Sequence, residues 1–525
     1  MHDVIVVGGG HNGLVCAAFL ARAGKRVLVL EAHDTLGGFA TTEETVAEAP
    51  GFKMNNGAID LVLTGIPTSI IDDLDLRRHG LGLIDVDPHT CWLGPDGESI
   101  AFHRNLDQTV AEIARYSRKD AESYRRLADT INDVLHITAP YIQGHPTRPR
   151  PADLGRIVAR AARHHRSLRV GARVMLSSAA QVIEEWFERD EIRAPLACFA
   201  ASWMSRLTEQ GSAAAFAAIV APHRWGCQRA VGGMGGLIDS IANVVTAHGG
   251  EIRLPTPVQR ILVQGDRAVG VELADGQELR ASEVIAAVDP TTLMRRLVDQ
   301  DHLPPATDAQ LRGLAVQANE LQLFKADVVL AGRPDLSAHG RTDQLLDSGC
   351  YVILAPSYDY IQRAIENNVR GELCADETLL WFSLPSRCDR TLVPPDSKGD
   401  TLYVYGPAAP MKPATGGWDT EGEKYLAHCL DIVDGSYVPG LKDQVIGSYI
   451  RNPDRLSARV TRGSIWHVDI IPTQLGPWRP IPSMSGYRTP IDGLWHTGSG
   501  AHPMGGVSGW SGRTTARTVL RGSGR

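Results

Sequence analysis

The apolar positions at the start of the chain follow two rhythms in quick succession. Val4-Ile5-Val6-Val7 is an uninterrupted β-branched run of the kind that forms a parallel strand covered on both faces. Leu14, Ala17, Ala18 and Ala21 then recur at helical spacing, and Gly24 is placed to end the helix. Arg26-Val27-Leu28-Val29-Leu30 reads as a second strand. The same rhythms return in the middle of the chain. A helix is predicted from the glycines at 232–236 through Val245, followed by a strand at Glu251-Ile252-Arg253-Leu254, a strand pair meeting at Asp275-Gly276, and a strand entering Val284-Ile285-Ala286-Ala287. Helical spacing also marks 109–116, 121–137 and 179–187, whereas 321–324, 379–382 and 402–405 read as strands.

Length and charge narrow the classes. A chain of 525 residues exceeds the ~250–300 residues at which single cores stop growing, so two domains are expected. A hydrophobic fraction of 43% with 22% charged residues is ordinary for a globular protein, and a net charge of −7 argues against nucleic acid and against a polyanionic substrate. The eight cysteines, among them Cys374, are scattered without a C-x-x-C and frame neither disulfides nor zinc; no metal site is expected. No apolar run approaches the ~20 residues that cross a bilayer, and a strand beginning at Val4 leaves no space for a secretory leader, so a cytoplasmic location is expected.

Between the first strand and the first helix stands Gly8-Gly9-Gly10-His11-Asn12-Gly13, which fits G-x-G-x-x-G. Gly8 permits a tight turn, Gly10 lets backbone approach a pyrophosphate, Gly13 allows close helix–strand packing, and the helix start presents free N–H groups to the anion. Glu31 ends the second strand, where a carboxylate accepts from ribose hydroxyls. A lone G-x-G-x-x-G is also a common glycine-rich turn, but strand, glycines, helix, strand and acid in this order favour a dinucleotide site.

Leu36-Gly37-Gly38-Phe39-Ala40-Thr41-Thr42-Glu43, Val231-Gly232-Gly233-Met234-Gly235-Gly236, Val284 through Pro290, and Asp492 through Gly509 complete a pattern that resembles the phytoene desaturase-like branch of the flavin amine oxidase superfamily. Many relatives carry arginine after the paired glycines. Phe39 here matches the subgroup of pyridine-nucleotide-disulphide oxidoreductase-domain proteins more closely. The resemblance implies an α/β fold: a discontinuous Rossmann-like FAD-binding domain (1–105, 228–317 and 481–525) with an inserted α+β substrate domain (106–227 and 318–480), a mixed sheet under a helical cap. It implies FAD as cofactor, held by Gly8, Gly10, Asn12, Gly13, Glu31, Ala32, Gly37, Gly38, Phe39, Ala40, Gly57, Ala58, Val258, Ala287, Gly498, Gly506 and Val507.

The intervening stretches should face a small-molecule substrate. Trp203, His223, Trp225, Tyr405 and His467 are candidate lining groups, and His502, His223 and Tyr487 are the expected catalytic side chains, since an imidazole titrating near ~6.5 suits acid–base work. Residues 154–175 carry Arg156, Arg160, Arg163, Arg166, Arg169 and Arg173 among apolar residues; this suits peripheral contact with an anionic membrane, although such runs are more often a solvated helix face. The function expected is hydride removal from a C–C or C–N bond of a mid-sized, largely apolar molecule, with oxygen or a quinone-like compound as electron acceptor. A redox-neutral isomerase, a saturase, and a flavin-bearing interaction protein without turnover stay open.

Overall fold

The computed structural model describes residues 2–58, 61–62, 69–94, 97–334, 342–373 and 379–522. The strands Glu251–Arg253, Val27–Leu30, His2–Val7 and Glu278–Ala286 lie side by side and parallel. The last of these is long enough to pair twice along one edge. Residues 284–286 run parallel to Leu494–His496, while 278–280 join the antiparallel ribbon formed with Arg267–Leu273 and Val258–Gln264. Val7 is level with Leu30 and with Ala286, and Ala286 with His496. Four chain segments therefore leave the sheet at the same carboxyl edge, the place where ligands bind in open parallel sheets.

Both faces of this sheet are covered, which explains the unbroken apolar run at Val4. Val4, Val6, Val27 and Val29 pack under the helices His11–Arg22, Gly233–Ala247 and Trp510–Gly522, and Ile5, Val7, Leu28 and Leu30 pack on the other side with Leu293, Met294 and Met484. Each such fully buried aliphatic side chain contributes ~1.5–3 kcal/mol relative to exposure.

The second sheet is ordered Val445–Arg451, Leu321–Leu330, Asp400–Pro410, Leu380–Ser383, Tyr351–Leu354, Thr90–Leu93, Ser99–Phe102, and only the pairing of 351–354 with 90–93 is parallel. Its two longest strands are buried at every position, so they lack the apolar–polar alternation of a one-sided sheet. Two of its strands come from the first stretch of the chain. Thr90–Leu93 and Ser99–Phe102 belong to it although they precede residue 106; a four-residue strand does not reveal which sheet will accept it.

Helices roof the second sheet. Arg118–Ile142 starts at Ser117, whose side chain accepts the Asp120 N–H, and Ala179–Trp186 starts likewise at Ser178. The arginine-rich stretch forms two surface helices, Pro151–Arg163 and His165–Leu176, packed on Arg118–Ile142, with Leu154, Val158 and Leu176 exposed by 46%, 68% and 59%. Among the described residues no helix is long and apolar enough to cross a membrane, and no group of histidine, cysteine or carboxylate side chains is placed to hold a metal ion. Seven cysteines are free thiols; Cys374 lies outside the described residues.

Candidate active site

A cavity of about 580 Å3 runs from the carboxyl edge of the first sheet to the face of the second. At one end its wall is backbone. The helix His11–Arg22 begins after Gly10 without a side-chain cap, so its first N–H groups point outward unpaired within the helix, as an anion site requires. Gly13 has no freedom to carry a side chain: a Cβ there would stand 2.2 Å from the Gly8 carbonyl oxygen and 2.9 Å from Ala287 Cβ. Gly10 is different, because a Cβ would meet nothing nearer than the Gly37 oxygen at 4.0 Å; it would project into free space. The Gly37 N–H donates to Gly9 O at 2.9 Å and docks the paired glycines beside the first loop. Glu31 is buried, and its carboxylate accepts from the Gly9 N–H at 2.7 Å and the His33 N–H at 3.0 Å, leaving further lone pairs for hydroxyl donors.

Every residue expected to hold the cofactor lines this cavity. Gly8, Gly10, Asn12, Gly13, Glu31 and Ala32 come from the first β-α-β unit, Gly37, Gly38, Phe39, Ala40, Gly57 and Ala58 from the loops after it, and Val258 and Ala287 from the middle segment. Gly498, Gly506 and Val507 come from the C-terminal loop. That loop faces two buried nitrogens without partners among the described residues, Trp466 Nε1 and His467 Nδ1, and a Cβ at Gly505 would stand 2.2 Å from the Trp466 ring. Burial pushes the imidazoles of His11 and His467 down to about 4.

The other end is built from side chains. Phe199 meets Trp381 edge-on with ring centres 4.9 Å apart, and Trp381 lies 5.7 Å from Tyr405 and 6.0 Å from Tyr351. Trp203, His89 and Thr90 also line the cavity. Trp203, Tyr405 and His467 are thus among the expected lining groups that reach the cavity, while His223 and Trp225 do not.

None of the three expected catalytic side chains lines the cavity. The His223 Nδ1–H donates to His103 O at 2.8 Å, and the Tyr124 hydroxyl donates to its Nε2 at 2.9 Å. Tyr487 gives its hydroxyl proton to the His502 carbonyl at 3.1 Å, and the His502 Nε2–H donates to Tyr141 O at 3.2 Å. Burial lowers His502 to about 4 and raises Tyr487 above its ordinary range. These groups fasten loops behind the wall. Sequence position inside a glycine motif misled here, because the chain at His502-Pro503 aims the ring at the helix Arg118–Ile142 instead.

Comparison with known proteins fits this geometry. Residues 13–318 match the family described as flavin containing amine oxidoreductase. The chain belongs to that family. Pyridine nucleotide-disulfide oxidoreductase domain-containing protein 2 of Rattus norvegicus is 30% identical to this member over 99% of the chain and 93% of its own length. A limonene dehydrogenase component of Castellaniella defragrans is 26% identical over 99% and 95%. A solved putrescine oxidase bound to putrescine shares the fold, with a TM-score of 0.64, 17% identity and coverage of 100% and 99%. As a flavin amine oxidoreductase the protein is an FAD-dependent oxidoreductase, and the residues present suit that cofactor: an uncapped helix start, an open Gly10, a buried acid at the end of the second strand, and orphaned nitrogens beside the C-terminal glycine loop.

No sequence motif marks His89. It precedes the short strand Thr90–Leu93, and the one local sequence signal is the Gly94-Pro95-Asp96-Gly97 stretch that follows, whose composition favours a hairpin.

Proposed function

We propose that the protein is a dehydrogenase or oxidase of a mid-sized, largely apolar small molecule, in which FAD takes a hydride from a C–C or C–N bond and passes the electrons to oxygen or a quinone-like acceptor. The observation that carries this reading is the continuity of one cavity from a backbone cradle to an aromatic box. In this reading the N–H groups after Gly10 receive the pyrophosphate, Glu31 the adenosine ribose, and the loop from Gly498 to Val507 supports the ring system. Phe199, Trp203, Tyr351, Trp381 and Tyr405 present flat apolar faces that orient a substrate and exclude water from the exchange. The name of the limonene dehydrogenase relative favours a substrate of that size class.

The test is anaerobic mixing of FAD-loaded protein with a panel of cyclic terpenes and amines. Persistent bleaching of the flavin's visible band, reversed by oxygen or a quinone, is the expected outcome. Product formation without net bleaching or acceptor consumption would replace this reading with an isomerase.

A further inference from the structure

Three residues that line the cavity each carry a buried side-chain nitrogen with no hydrogen-bond partner among the described residues. Trp466 Nε1 and His467 Nδ1 stand at the C-terminal glycine loop. The third, His89 Nε2, stands apart from them on the substrate sheet, at the entry to the strand Thr90–Leu93.

The surroundings hold this ring in one place. His89 donates its backbone N–H to Phe102 O at 3.0 Å and accepts the Tyr351 N–H at 3.3 Å, so the sheet fixes its Cα on both sides. Its Nδ1 lies 3.0 Å from the Thr90 hydroxyl, and His223 packs edge-on against it with ring centres 6.1 Å apart. His223 is itself pinned by Tyr124 and by the His103 carbonyl. The residue is only 3% exposed. Burial, with His223 and His103 nearby, holds the imidazole far below its ordinary value and therefore neutral. Because Thr90 can give or take the proton at Nδ1, the free Nε2 can serve as acceptor or as donor.

An unpaired polar nitrogen in an aromatic pocket is unfavourable, and a bound group of matching polarity would relieve that cost. We propose that His89 is the hydrogen-bonding anchor of the substrate, and that the substrate is consequently a hydrocarbon-like body bearing one amine, hydroxyl or carbonyl group rather than a pure hydrocarbon. The proposal rests on the flavin-linked reading of this cavity and adds the chemical class of its occupant.

The experiment uses FAD-loaded protein and four probes of one shape: limonene, and the same ring carrying one polar group as perillyl alcohol, perillaldehyde or perillylamine. Binding is read from perturbation of the flavin's visible spectrum and from tryptophan fluorescence. At least one polar probe should bind about tenfold more tightly than limonene, the value of one hydrogen bond in a dry site. His89→Leu should erase that advantage while retaining FAD, and His89→Gln, which keeps a donor and an acceptor, should restore part of it. Equal binding of limonene and every polar probe, an advantage that survives in His89→Leu, or no binding of any probe would overturn the proposal. Should His89→Leu fail to fold, the wild-type preference and the His89→Gln variant still decide it. Failure of the flavin reading would show separately, as wild-type protein that takes up no FAD while tryptophan fluorescence still reports on the probes.

Discussion

The two ends of the cavity are made of different material. The nucleotide end is backbone: glycines, N–H groups and strand termini set level by a parallel sheet. The substrate end is side chain: aromatic rings and one histidine carried by strands that approach from distant parts of the chain. Backbone recognition admits few substitutions and one ligand, whereas a side-chain wall can be retailored without disturbing the scaffold that carries it. Proteins of this fold can therefore keep the scaffold while their names point to different substrates, limonene in one and putrescine in another.

Four perturbations would break or sharpen this division. The largest effect is expected of Gly13→Ala, whose Cβ would collide with Gly8 O at 2.2 Å. It should cost more than ~3 kcal/mol of stability and take FAD binding with it, as read by thermal melting and flavin content. Gly10→Val should separate fold from ligand, because its side chain enters space the protein leaves open. The apoprotein's melting temperature should stay within the range of neutral surface changes while FAD affinity drops by two orders of magnitude or more, ~2.7 kcal/mol. An equal loss of both would mean that the cradle at Gly10 is structural.

Acid should ignore the division. His496 and His502 are buried with pKa values lowered to about 4, against the ordinary 6.5. A base whose folded pKa is depressed takes up protons more readily when unfolded, so the stability it permits is complete above pH ~6.5 and is lost as pH falls toward 4. Urea titrations of apoprotein should show a loss of about 2 kcal/mol per such histidine between pH 7 and pH 5. A flat profile would place water or a partner at these rings.

The smallest effect is expected on the outer surface of the substrate half. The helices Pro151–Arg163 and His165–Leu176 combine exposed Leu154, Val158 and Leu176 with Arg163, Arg166 and Arg169, which have no acidic partner among the described residues. Flotation with anionic vesicles should show weak, salt-sensitive binding, reduced by Arg166→Glu by about 1 kcal/mol. Binding that is equal on neutral vesicles would exclude charge as its cause.

Legibility in the sequence follows the same division. Gly8 to Gly13, Gly37-Gly38 and Gly498 to Gly506 are contiguous, and each glycine has one physical reason to be glycine, so order and spacing identify the cradle. The helices at 118–142 and 179–186 and the ribbon turning at Asp275-Gly276 were likewise visible from periodicity and turn chemistry. Tyr351, Trp381 and Tyr405 come together only through strand pairing, and each reads alone as an ordinary core residue. His223, Tyr487 and His502 attracted attention by side-chain type and by proximity to motifs. Their orientation, which decides their role, is set by loop geometry that no local pattern encodes.

The strand Leu494–His496 is the last to join the first sheet, and the loop behind it closes the cradle that Gly8 begins. The fingerprint glycines at 8–13 precede that loop by more than 480 residues, so their site lacks its final wall until residues 498–507 are in place. A chain cut before residue 494 keeps the residues of the fingerprint and of the second sheet but lacks the loop that closes the cradle.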